Sequence, residues 1–126
     1  MISGGNVTVF VSNMDTAVQF YSEVLGLKLA NRFGNDWATV EAGKGLTIGL
    51  NPASPKSPTP GTRGAMMIGL EVNKPIEDVV ARLSEKGVRI KGPVKRDDAG
   101  NFVNLEDPDG NEIYLWETRR EAHHSE

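Results

Sequence analysis

The side chains able to do chemistry in this chain are few, and their kinds narrow the possibilities at once. There is no cysteine, which removes disulfides, thiolate metal sites and cysteine nucleophiles together. The two histidines, His123 and His124, share the polar terminal stretch 119–126. The body of the chain therefore has no imidazole to act as metal ligand or as general base near neutral pH. That stretch lacks apolar periodicity and reads as a solvated tail. What remains is carboxylate, phenol and aromatic chemistry. Glu71, Glu112 and Tyr114 are the candidate catalytic groups, a carboxylate serving as general base and the phenol as acid or oxyanion donor. Phe10, Trp37, Tyr114 and Trp116 can stack on a flat ligand, Glu71 can pair a cationic group, and Asn6 or Thr8 can fix orientation by hydrogen bonds.

The elements that must position these residues are read from periodicity and turn chemistry. In Asp107-Pro108-Asp109-Gly110 the proline pre-sets φ and the glycine supplies a positive φ, so the chain reverses there. On either side Val103 and Leu105, then Ile113 and Leu115, alternate with Asn104, Glu112, Tyr114 and Trp116, which predicts a hairpin. Near the start, Val7, Val9 and Val11 alternate with Asn6, Thr8 and Phe10. Ser12, Asn13 and Asp15 are cap candidates for a helix whose face is Ala17, Phe20, Tyr21, Val24 and Leu25 and which Gly26 stops. At this spacing Phe20 and Tyr21 are core residues. Strands follow from Leu27 and Leu29, at 37–41 and at 46–50, around the turns Gly34-Asn35-Asp36 and Gly43-Lys44-Gly45.

Residues 51–64 hold four of the seven prolines and no large apolar side chain, which makes them a semi-extended linker. After the linker the pattern restarts. Met66, Ile68, Leu70 and Val72 alternate with Met67, Gly69 and Glu71, and Asn73 and Pro75 open a helix with the face Ile76, Val79, Val80 and Leu83, closed by Gly87. A shift of 61 residues lays Val7, Val9, Val11 and Gly26 on Ile68, Leu70, Val72 and Gly87. Four further residues, assigned to a longer loop between the second and third strands, bring Ile48, Gly49 and Leu50 onto Ile113, Tyr114 and Leu115. A repeat this short cannot cover its own sheet, so two copies should combine. The expected organisation is a single domain: module one at about 5–50, the linker at 51–64, module two at about 65–118 and the tail at 119–126.

Each strand splits into two faces. The aliphatic side suits the two amphipathic helices. The other side carries Asn6, Thr8, Phe10, Thr39, Glu41, Thr47, Gly49, Met67, Glu71, Phe102, Asn104, Glu112, Tyr114 and Trp116. Apolar and aromatic walls with a few placed polar groups are the marks of a small-molecule pocket, and a face buried against a second subunit is the other reading of the same pattern. The ligand-binding candidates are Asn6, Thr8, Phe10, Trp37, Thr47, Gly49, Met67, Glu71, Phe102, Tyr114 and Trp116. A net charge of −3 with mixed signs gives no footprint for nucleic acid or an anionic membrane, and no apolar run is long enough for a signal segment or a membrane span. The expected setting is cytoplasmic, with a small-molecule ligand as partner and no nucleic acid or membrane.

Two βαβββ units, the run from Asn13 to Leu27 with its Phe20-Tyr21 and Val24-Leu25-Gly26-Leu27, and the closing Asp-Pro-Asp-Gly-Asn turn occur together and in order. The chain resembles the vicinal oxygen chelate (VOC) superfamily, the glyoxalase, bleomycin-resistance and dioxygenase group. The resemblance implies an α+β fold in which two βαβββ modules pair into a curved, barrel-like mixed sheet. In metal-dependent members of that superfamily a divalent cation is held from the first and last strand of each module. Those positions correspond to Asn6, Gly49, Met67 and Tyr114, which lack the usual histidine and carboxylate donors. The expectation is therefore no metal and no cofactor, and a module that binds an aromatic or planar molecule. The alternative is an enzyme of lyase, isomerase or dioxygenase type, metal-independent or with an atypical carboxylate site made of Glu71, Glu112 and Glu41. The resemblance also implies a homodimer.

Overall fold

The computed structural model describes residues 6–43, 45–62, 67–98 and 100–118. Lys44 of the second turn, Arg63 and Gly64 of the linker, Met66, and the terminal stretch with His123 and His124 lie outside the described residues. By its contacts the chain divides into two units, Met1–Thr62 with Pro108–Gly110, and Arg63–Asp107 with Asn111–Glu126.

The first unit is built from β1 (Val7–Val11), α1 (Met14–Val18), β2 (Lys28–Phe33), β3 (Trp37–Ala42) and β4 (Leu46–Pro52). Its four strands lie in the order β1-β4-β3-β2, with β1 parallel to β4 and the other pairs antiparallel. The second unit repeats the plan with β5 (Met67–Glu71), α2 (Ile76–Glu85), β6 (Arg89–Asp97), β7 (Gly100–Glu106) and β8 (Glu112–Thr118), in the order β5-β8-β7-β6. The fold is α+β with two βαβββ modules. Among the described residues no helix is long and apolar enough to cross a membrane.

The period-two alternation of the strands becomes two cores. In the first, Val9, Val11, Ala38, Val40, Ile48 and Leu50 are buried on the face that α1 covers with Met14, Ala17 and Val18. Phe20 and Tyr21 are buried beside them, rings edge to face with centroids 5.2 Å apart. In the second, Ile68, Leu70, Val103, Leu105, Ile113 and Leu115 are buried together with Ile76 and Leu83 of α2. Each valine, leucine and isoleucine among them contributes about 1.5–3 kcal/mol by leaving water.

The two helices start differently. Asn13 caps α1 locally, its Oδ1 accepting from Thr16 N at 2.9 Å. Pro75 gives α2 no side-chain cap; Glu117 of β8 takes the role, Oε1 accepting from Ile76 N at 3.1 Å and from Asn101 Nδ2 at 3.2 Å. Helix α1 also does not run regularly to Gly26. It widens into a π-helix over Gln19–Val24, where Leu25 N donates to Phe20 O and Ser22 Oγ donates to Val18 O.

The repeat is carried by strand register. Val7 stands opposite Ile48 and Ile68 opposite Ile113, so shifts of 61 and 65 residues superpose the two parallel pairs. The extra residues do not form a longer loop. They lengthen the strands of the hairpin, with nine residues in β6 against six in β2 and seven in β7 against six in β3, and the register of β6 slips between Lys91 and Lys95. The cause is Gly92, with φ of 90°, followed by Pro93, which has no N–H for the ladder. The expected linker is also shorter at its start, because β4 runs on to Pro52 against Val11. Only β1 pairs with that end of β4, so the missing N–H of Pro52 costs no bond to β3. The hairpin turn before β8 is as expected: Gly110 has φ of 92°, and Asp107, 1% exposed, accepts from Asn111 N at 2.8 Å and Asn111 Nδ2 at 2.9 Å.

Candidate functional site

With the aliphatic face of each sheet buried under its helix, the mixed faces carry every residue singled out for function except Asn6. On the first sheet Thr8 stands opposite Gly49, and Gly49 opposite Thr39; Glu41 stands opposite Thr47, and Phe10 opposite Asn51. Asn6 is exposed just before β1. This face is largely polar, and a Cβ added at Gly49 would meet only ordinary contacts, Val7 O at 3.8 Å and Thr8 Oγ1 at 3.9 Å. Trp37 sits at the tip of the β2–β3 hairpin, opposite Phe33, with ring centroids 4.6 Å apart and both rings exposed. Phe33 was not among the sequence candidates. Its signal was its place flanking the Gly34-Asn35-Asp36 turn, directly across from Trp37.

The second sheet presents a grid of three rungs across its four strands. The first runs Arg89, Glu106, Glu112, Met67; the next Lys91, Asn104, Tyr114, Gly69; the third Lys95, Phe102, Trp116, Glu71. Residues paired across strands share a face. The aromatic candidates Phe102, Tyr114 and Trp116 are thus neighbours at the centre of one surface, half-buried. The rings of Tyr114 and Trp116 lie 6.0 Å apart with a 34° tilt. Gly69 makes this possible, since a Cβ there would overlap the Tyr114 ring.

At the first rung the surface deepens into a cavity of about 210 Å³ lined by Met67, Lys91, Asn104, Leu105, Glu106, Glu112 and Ile113. Its one deeply buried charge is Glu106, 5% exposed, with Arg89 Nε at 3.6 Å and Lys91 Nζ at 3.5 Å. Sequence reasoning passed over Glu106 because a glutamate at a strand end reads as surface. The two cations needed to hold it, Arg89 and Lys91, sit two residues apart on β6 and were the available signal. Glu112, half-buried, faces Glu106 across the rung, whereas Glu71 is exposed on the edge strand β5.

The positions corresponding to the superfamily's metal ligands do not fit a divalent cation. Gly49 has no donor, Met67 offers a thioether, and the Tyr114 ring is laid over Gly69. Glu71 and Glu112 do not converge either: their rungs are four residues apart along β5, about 13 Å. Among the described residues no group of three or more histidines and carboxylates is placed to hold a metal ion.

Comparison with known proteins agrees with this architecture. The family model described as Glyoxalase/Bleomycin resistance protein/Dioxygenase superfamily matches residues 5–115. A protein of Salmonella typhimurium (strain LT2) named virulence protein STM3117 is 32% identical over 118 residues, covering 87% of this chain and 80% of that protein. Among solved structures, TnmS3, described as an antibiotic binding protein from Streptomyces sp. CB03234, is 30% identical, with 94% of this chain and 97% of that chain covered and a TM-score of 0.76. A glyoxalase/bleomycin resistance protein from the same Streptomyces is 32% identical, with 90% and 99% covered and a TM-score of 0.72.

Proposed function

The chain belongs to the glyoxalase/bleomycin resistance protein/dioxygenase superfamily, and on that premise we propose that it binds a small planar or aromatic molecule on the mixed face of its second sheet. The observation that carries this reading is the cluster of Phe102, Tyr114 and Trp116, half-buried on one face whose opposite side is fully packed. A ring laid on such a cluster gains about 0.5–1.5 kcal/mol per aromatic pair beyond area burial. The adjoining cavity, with Asn104, Glu106, Glu112 and Lys91, offers polar groups that fix orientation. The relative named as an antibiotic binding protein supports a small-molecule ligand.

Four large apolar side chains, Leu29, Phe33, Trp37 and Met67, are 38–55% exposed on the single chain. Their exposure supports our further reading of the protein as a homodimer. The alternative, a metal-independent enzyme, draws on Glu112 beside Tyr114 on β8 as base and acid.

The test is calorimetric titration with planar bicyclic and tricyclic aromatics and with their saturated counterparts. The flat ligands bind, the saturated ones do not, and Trp116→Ala weakens binding about tenfold, a loss of roughly 1.4 kcal/mol. Equal binding of flat and saturated ligands would remove the stacking account.

A further inference from the structure

The planar-ligand reading leaves open what the ligand's substituents are, and one residue outside the sequence candidates bears on that. Among the described residues, the open face of the second sheet carries three cations, all on β6. Arg89 and Lys91 are both directed at the buried carboxylate of Glu106. Lys95 is different: it is exposed, and its side chain makes no hydrogen bond or ion pair with any described residue. It stands directly opposite Phe102, on the rung that continues through Trp116 to Glu71.

That placement is a product of the bulge. Pairing of β6 with β7 is regular through Lys91 and Asn104, and had it continued, Pro93 would have faced Phe102. The slip between Lys91 and Lys95 inserts two residues and sets Lys95 there instead. Bulges commonly re-aim a side chain in this way beside functional sites. The four-strand rung is about 14 Å wide, and its side chains stand roughly perpendicular to the sheet. The result is an aromatic floor, Phe102 and Trp116, with an ammonium at one end and a carboxylate at the other.

We propose that the planar ligand carries an acidic group, a carboxylate, sulfonate or phenolate, which Lys95 receives at the β6 end of the aromatic rung. This rests on the planar-ligand reading and specifies its ligand class. A lysine that serves only to guard an edge strand against pairing would be indifferent to ligand charge.

The experiment compares 2-naphthoate with 2-naphthamide, equal in shape and different in charge, by calorimetry on the full chain at low ionic strength. Wild type is expected to bind the acid about tenfold more tightly than the amide, the scale of one partly exposed charge-assisted hydrogen bond. Lys95→Gln removes that preference, and Lys95→Arg, which keeps the charge, restores it. Added salt narrows the preference in wild type. Equal affinities for the two probes in wild type, or a preference that survives Lys95→Gln, overturn the acidic-ligand proposal while leaving the planar reading intact. Failure of both probes to bind overturns both.

Discussion

The two repeats place one glycine each at the same rung of their parallel strand pairs, but on opposite strands. In the first unit Thr8 of β1 faces Gly49 of β4; in the second, Gly69 of β5 faces Tyr114 of β8. The backbone register is the same, so the difference lies wholly in what stands on it. At Gly49 the vacant side-chain position is open, with only ordinary contacts for an added methyl group. At Gly69 the vacant position is the bed of the Tyr114 ring. One module thus presents a largely polar face and the other an aromatic platform. A duplicated strand framework does not dictate a duplicated site. The aliphatic face of each repeat is constrained by packing and stays alike, while the mixed face is free to diverge.

The largest effect expected from testing this contrast comes from Gly69→Ala. The new methyl must displace the Tyr114 ring, so the variant should lose about 1–3 kcal/mol of stability and weaken planar-ligand binding in parallel. Gly49→Ala should be neutral or gain up to about 1 kcal/mol, because it fits and restrains the unfolded chain. Denaturant melts of the pair check both, and equal costs at the two positions would erase the distinction. A smaller effect separates the two helix starts. Glu117→Ala removes the acceptor shared by Ile76 N and Asn101 Nδ2 and should cost about 1.5 kcal/mol. Asn13→Ala removes a local cap and should cost about 1 kcal/mol. Hydrogen exchange should locate each loss at the start of its own helix.

The same contrast shows how far the site could be read from residue order. The split into aliphatic and mixed faces was legible, because period-two alternation survives folding unchanged. The closing turn was legible too, since Asp107, Pro108 and Gly110 carry its mechanism themselves. The Asn13 cap acts within one helical turn, and so it could be nominated. Glu117 caps a helix that begins 41 residues earlier in the chain, and nothing local marks it. Lys95 reaches the aromatic rung only through a bulge, which shifts pairing by two residues and defeats a count along the strand. Glu106 is buried by cations on a neighbouring strand, a pairing that alternation alone does not assign. The π-helical widening after Val18 likewise follows from bonds to residues five back rather than from the apolar spacing.

We propose that the second sheet's mixed face, and not the first sheet's, receives a planar ligand. The most direct measurement is titration of isotope-labelled protein with 2-naphthamide, followed residue by residue through backbone amide chemical shifts. The expected result is saturable shifts concentrated at Gly69, Phe102, Tyr114 and Trp116, with Thr8, Thr39 and Gly49 unmoved. Shifts concentrated at Thr8 and Gly49, or none at all at saturating ligand, would contradict the claim.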